Sequence, residues 1–194
     1  MPDYDDRTSL LVVDVQNDFA DPAGGLTVAG AEEILPVLNP EIEAAVAAGA
    51  FVAYTQDWHP PTTPHFRKDG GDWPVHCVAG TWGAELHPEL IVEGPVIKKG
   101  SGGEDGYSGF SVRDPRSGHV DATQLEGMLR AGGVERLVIA GLATDYCVAE
   151  TALDGRRLGF GVEVLEAAIR AVEVRPGDGE RAIERMRGAG VTVV

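Results

Sequence analysis

The chain has 194 residues, 43% of them hydrophobic and 24% charged, a composition that suits one globular domain with a sizeable core. Its formal net charge of −15 repels polyanions, so neither nucleic acid nor an anionic membrane is an expected partner. No apolar run approaches the ~20 residues needed to span a bilayer, the two cysteines are too few for a disulfide framework, and the acidic start of the chain lacks the form of a secretory signal, so a cytoplasmic location is expected.

The first apolar run, Leu10 to Val13, ends at Asp14 and reads as a buried strand. Residues 31–48 have the Ala, Ile and Val spacing of a helix that stops at Gly49, with Pro36 and Pro40 obscuring its start. Residues 50–56 are a second strand, and "GPVIKKG" contains a short third. Between them, residues 58–94 are rich in Pro, His and Trp and show no periodicity. Irregular stretches of that length in a compact domain are usually functional. "DATQLEGMLRAGG" reads as a helix with Asp121 as N-cap and Gly132 as its stop. Strand four is "VERLVIAGL", a helix covers "TDYCVAETALDGRRLG", strand five is "FGVEVLEA", a helix covers "GDGERAIERMRGAG", and "VTVV" is strand six. Strand alternating with helix is the signature of a parallel sheet covered on both faces. The expected fold is a single three-layer α/β/α domain over residues 1–194, with a Rossmann-like sheet of six parallel strands.

Open parallel sheets bind ligands beyond the carboxyl ends of their strands. Those ends deliver Asp14, then Asp57 with His59 behind it, then Lys98 and Lys99, then Cys147. Cys147 falls in the first turn of a helix that Thr144 or Asp145 can cap. Unpartnered backbone N–H groups there can lower a thiol's pKa and can hold an oxyanion when the sulfur attacks a carbonyl. Most free cysteines are small buried hydrophobes, but an acid and an ammonium on the same edge favour chemistry. Asp14 can take the thiol proton and return it to a leaving amine. A lysine would keep that carboxylate ionised, and spacing does not choose between Lys98 and Lys99. Asp57, His59, His65 and His76 make one carboxylate and three imidazoles, which suits a divalent ion such as Zn, Mn or Fe. Ordinary loop hydrogen bonding is the alternative for these histidines, and His87 reads as structural. "GSGGEDGYSG", residues 100–109, lacks the Walker pattern and opens no helix, so it reads as a covering loop rather than a phosphate cradle.

The stretches "VVDVQNDF", "TQDWHP", "WPVHCVAGTWGAELHP", "IKKG" with "GYSGF", and "GLATDYCV" lie in order within residues 11–151. Together they resemble the nicotinamidases of the isochorismatase-like cysteine hydrolase superfamily. The resemblance implies a triad of Asp14, Lys99 and Cys147, the lysine chosen because it directly precedes a glycine. It implies one divalent metal ion held by Asp57, His59 and His76, with His65 near or on it, and in contact with a pyridine nitrogen of the substrate. It implies a cis peptide before Ala143, an oxyanion hole from the Ala143 and Cys147 amides, and a ring pocket lined by Phe19, Trp73 and Tyr107. The implied reaction is hydrolysis of nicotinamide to nicotinate and ammonia through a cysteine thioester, in salvage of the nicotinamide cofactor, with pyrazinamide as a second substrate and a possible homo-oligomer. Tyr146 stands where some relatives carry histidine and is expected at the pocket. The segment from Lys99 to Tyr107 also varies in length among relatives. A related amidohydrolase acting on a carbamoyl or ureido compound would share the triad without needing the metal. A dinucleotide-dependent oxidoreductase is disfavoured because no G-x-G-x-x-G follows strand one.

Overall fold

The computed structural model describes residues 2–194. Six strands make the central sheet: β1 (Thr8–Val13), β2 (Phe51–Asp57), β3 (Val96–Lys99), β6 (Arg136–Leu142), β7 (Gly161–Arg170) and β8 (Thr192–Val193). Their order is β3-β2-β1-β6-β7-β8, and every pairing is parallel. The helices are α1 (Asn17–Ala20), α2 (Leu35–Ala47), α3 (Leu125–Ala131), α4 (Ala149–Arg157) and α5 (Asp178–Gly188). The α/β class and the six-stranded parallel sheet are those expected from the sequence.

The central strands β1, β2 and β6 are buried almost throughout because both faces are covered. Alternation divides them between two cores. Leu10, Val12, Val52, Tyr54 and Val138 point to the face under α2, where Leu38, Ile42 and Ala45 meet them. Leu11, Val13, Ala53, Leu137 and Ile139 point to the other face, filled by Leu125, Leu129, Ala152 and Met186 from α3, α4 and α5. Pro36 sits in the first turn of α2, where its missing N–H costs nothing, whereas Pro40 lies inside the helix. Gly49, at φ 77, closes that helix as expected.

Two local expectations are overturned. Asp121 does not cap a helix. It lies in β5 (Val120–Ala122), which pairs with β4 (Ser111–Arg113) in a small antiparallel hairpin, and α3 begins only at Leu125. Alternation over three residues is too short a signal to read. The segment after β6 opens as a π turn, Thr144–Val148, before α4 begins, and no side chain caps it. Asp145 instead accepts the backbone N–H groups of Val172 and Glu173, both at 2.9 Å, and pins the loop after β7.

The sheet order reverses between β1 and β6. The chain runs from β1 outward to β2 and β3 on one side and returns to β6 on the other. A crevice opens at the carboxyl ends where the connections diverge. Gly141 lets the two strands approach closely there: at φ 117, a Cβ would sit 2.1 Å from the Val13 carbonyl oxygen.

Candidate active site

Asp14 follows β1 and Cys147 follows β6, so the crevice sets acid and thiol side by side. Lys99 ends β3, two strands away, and spans the gap with its long side chain. Strand alternation chooses between the adjacent lysines. Lys99 is 1% exposed, while Lys98 points outward and lies 3.5 Å over the Trp58 ring. Lys99 Nζ is 2.8 Å from Asp14 Oδ2 and 2.6 Å from Asp57 Oδ1, and it donates to Cys147 Sγ at 3.5 Å. Asp14, Asp57 and Cys147 have ligand atoms within 4.8 Å of one another. Asp14 sits at φ 48, a region that aspartate tolerates better than most residues.

The electrostatics sort the roles. Burial would strip Lys99 of its proton, but Asp14 and Asp57 more than offset it and keep the ammonium charged. Burial pushes the Asp14 carboxyl up against the pull of Lys99, which gives its oxygen a stronger hold on a proton. Burial acts on Asp57 too, yet Lys99 and His59 bring it well below the usual carboxylate range. The Cys147 thiol departs from the sequence expectation of a lowered pKa. Burial, with Asp14 and Asp57 beside it, outweighs Lys99 and drives it well above its ordinary value. The sulfur is a neutral thiol until something removes its proton.

The Leu142–Ala143 peptide is cis, as the resemblance implies. The Ala143 carbonyl accepts the N–H groups of Tyr146 and Val148, each at 3.1 Å, and passes over that of Cys147 between them.

The loop after β2 folds back on itself and gathers the histidines. His59 N–H donates to the Cys77 carbonyl at 2.9 Å and Ala79 N–H to the His59 carbonyl at 2.8 Å, which brings His76 beside His59. Trp73 N–H reaches the His65 carbonyl at 3.3 Å. Nitrogens of His59, His65 and His76 converge within 4.8 Å, and all three residues are buried. Asp57 Oδ2 is 3.8 Å from His59 Nε2. His76 Nδ1 bonds the Pro74 carbonyl at 2.8 Å and His65 Nδ1 bonds Asp105 Oδ1 at 2.9 Å, so each ring keeps its other nitrogen free. Neither buried nitrogen of His59 has a hydrogen-bond partner among the described residues. Three converging imidazoles, one of them with both ring nitrogens unpartnered, and a neighbouring carboxylate fit a divalent ion. Burial helps by pushing His76 down to about 4, which keeps it neutral. Gly100, at φ 76, packs against this cluster: a Cβ there would meet His59 Nδ1 at 2.7 Å.

A narrow pocket opens beside the sulfur. Phe19, Trp73, Tyr107 and Tyr146 line it together with Cys147, His65 and His76. Trp73 meets Tyr146 edge to face at 4.8 Å and donates from Nε1 to the Tyr107 hydroxyl at 3.0 Å. The aromatic side chains suit a flat apolar ring, and the sulfur and two imidazoles share the same lining.

Three residues that sequence reasoning passed over support this site. Thr55 donates to Asp14 Oδ1 at 2.6 Å and leaves Oδ2 to face Lys99. Gln16 grips the Asp57 backbone from both sides, Nε2 to its carbonyl and Oε1 from its N–H, each at 2.8 Å. A polar residue two positions from each acid on a buried segment was the available signal. Asp105 holds His65, and that hydrogen bond, against the upward push of burial, draws its carboxyl down to about 2. Nothing in its glycine-rich surroundings marks it.

The isochorismatase domain model matches residues 8–194. The nicotinamidase of Escherichia coli is 35% identical, over 95% of this chain and 93% of its own length. Among solved structures, the pyrazinamidase of Pyrococcus horikoshii in complex with zinc is 39% identical with a TM-score of 0.86, covering 97% of this chain and 98% of that one. The L. infantum protein in complex with nicotinate is 34% identical with a TM-score of 0.88, covering 100% and 95%.

Proposed function

This chain belongs to the isochorismatase domain family, and from that premise and the site's geometry we infer how it works. It is an amidohydrolase that converts nicotinamide to nicotinate and ammonia. The observation that carries the mechanism is the contact of Lys99 Nζ with both Asp14, at 2.8 Å, and Cys147, at 3.5 Å.

The pyridine ring enters between Phe19 and Trp73, with Tyr107 and Tyr146 as further walls, and the carboxamide comes over Cys147. The chain binds a divalent metal, for which Asp57, His59, His65 and His76 are the proposed ligands. The metal, when bound, supplies a Lewis-acid contact for the ring nitrogen. Zinc is the proposed ion on the strength of the Pyrococcus relative, and pyrazinamide, which keeps a ring nitrogen in the matching place, is a proposed second substrate.

Asp14 takes the proton of the neutral thiol as sulfur forms its bond to the amide carbon. Its raised proton affinity suits this role. The carbonyl electrons move onto oxygen, and the N–H groups of Ala143 and Cys147 hold the oxyanion. Lys99 keeps the excess negative charge of the site in check. Asp14 passes its proton to the amide nitrogen, the C–N bond breaks, and ammonia leaves a thioester. Asp14 then removes a proton from water. The resulting attack releases nicotinate and restores the thiol. Among the described residues no helix is long and apolar enough to cross a membrane. A cytoplasmic location and a single catalytic domain belong to the same proposal. So does a homo-oligomer, to be checked by sedimentation.

The experiment is ammonia release from nicotinamide by Cys147→Ala. Turnover should fall to background in a protein that still folds. Turnover at the parent rate would remove Cys147 as the nucleophile.

A further inference from the structure

We propose that Asp105 is a positioning residue for the metal cluster, orienting the His65 imidazole so that Nε2 faces His59 and His76. The inference rests on the metal-binding reading above. Asp105 Oδ1 lies 2.9 Å from His65 Nδ1, and only a protonated Nδ1 can donate to a carboxylate. That fixes the tautomer and places the ring's lone pair on Nε2, the form a metal ligand needs. His76 obtains the same orientation from a backbone carbonyl, and His59 has no hydrogen-bond partner among the described residues. Among the three, His65 is the imidazole held by an ionised group, which raises its basicity as a ligand.

Asp105 is itself held from behind. Its backbone exchanges hydrogen bonds with Arg113, N–H to carbonyl at 2.6 Å and the reverse at 2.5 Å, and its Oδ2 lies 3.5 Å from the Arg113 guanidinium. Oδ1 also accepts the Gly106 N–H at 2.9 Å. The hairpin β4–β5 thus anchors a carboxylate against the cluster. Two residues on, the Tyr107 hydroxyl takes the Trp73 Nε1–H. One short segment therefore touches both the ligand cluster and the ring wall, so a loosened Asp105 would disturb both.

A purely structural role, stapling the loop to Arg113, is separable from this one. The full-length protein is stripped of metal, and zinc dissociation constants are measured by competition with a chromophoric chelator. Wild type, Asp105→Ala, Asp105→Asn and Arg113→Gln are compared, and visible spectra are recorded for their cobalt(II) forms. Asp105→Ala should bind zinc about 10–100-fold more weakly and show an altered cobalt spectrum, while Arg113→Gln, which keeps the His65 contact, should stay within about twofold of wild type. Asp105→Asn is isosteric and guards against misfolding of the alanine variant. It keeps an acceptor oxygen without the charge, so its loss should be intermediate. Wild-type zinc affinity in both Asp105 variants, or weaker binding with an unchanged cobalt spectrum, would overturn the proposal. A wild-type protein that bound no divalent ion would instead bring down the metal-binding reading, and the proposal with it.

Discussion

Lys99 Nζ lies 2.6 Å from Asp57 Oδ1, closer than to the proposed general base Asp14 at 2.8 Å. One buried ammonium therefore belongs to two sites at once. Asp57 offers one oxygen to Lys99 and the other to the histidine cluster, 3.8 Å from His59 Nε2. The catalytic set and the proposed metal centre share a wall made of this ion pair. Charge at one is felt at the other with little water between to screen it.

Removing that ammonium should therefore damage more than catalysis. Lys99→Met keeps the length of the side chain and leaves two buried carboxylates without their shared cation. Breaking a buried pair from one side typically costs about 3–5 kcal/mol. The variant should lose nicotinamide hydrolysis and unfold at markedly lower urea in the metal-free state. Asp14→Asn combined with Lys99→Met should recover part of the lost stability, because one uncompensated charge has gone. A single variant as stable as the parent would mean that the three groups are not mutually dependent. Urea unfolding of the metal-stripped proteins, followed by circular dichroism, reads the difference.

The neutral thiol gives a pH signature. Burial and two neighbouring carboxylates hold the Cys147 pKa well above its ordinary value in the free enzyme. The thiolate fraction is then small at neutral pH and grows as pH rises. Alkylation of the free protein by iodoacetamide should be slow at pH 7 and keep accelerating beyond about pH 8.5, where an ordinary cysteine reaches half ionisation. A thiolate stabilised by a permanent ion pair would instead react at a constant rate from acid to neutral pH. Mass spectrometry locates the label. Cys77, 0% exposed and with its own thiol raised by burial, should label last.

Much of this arrangement is legible in the sequence. Four apolar residues ending in Asp14, and four more leading to Cys147, mark two strands buried on both faces. The rule that parallel sheets bind ligands at their carboxyl ends then brings acid, ammonium and thiol to one rim. Asp14, Lys99 and Cys147 meet there, and His59, His65 and His76 converge where the irregular loop was expected to be functional. What sequence reasoning missed depends on contacts between distant segments. The β4–β5 hairpin is too short to show a period, so Asp121 read as a cap. Asp145 looked like a capping residue because its type and place fit, yet its carboxylate serves the loop after β7. The thiol's pKa departs from expectation because a local rule about helix starts sees neither the burial of the sulfur nor the Asp14 and Asp57 carboxylates that other strands bring beside it. Asp105 sits among glycines and gains its role only when the hairpin carries it to His65.

The metal cluster and the ring pocket make their own prediction, which concerns recognition. Benzamide has the shape of nicotinamide and the same scissile amide, but carries C–H where nicotinamide has the ring nitrogen. If the cavity only enclosed a flat ring, Trp73, Tyr107 and Phe19 would treat the two alike, and kcat/KM would differ little. With a Lewis acid set against the ring nitrogen, benzamide loses that contact and leaves a buried polar position unmatched. Sites built around a polar atom reject analogues that lack it by far more than a methylene's worth of binding, so a ratio of about 100 or more is expected. Stripping the metal should erase this preference along with most of the activity, and zinc or another divalent ion should restore both. The same stripping should lower the melting temperature, since an ion bound to the native state alone stabilises it in proportion to the logarithm of its concentration. The Ala143 and Cys147 amides and the triad are proposed to act on the amide and not on the ring. A demetallated protein, verified by elemental analysis, that hydrolysed nicotinamide and benzamide equally well at the holoenzyme rate would show a different acylation pocket. The histidine cluster would then be an ornament of the loop rather than part of the reaction.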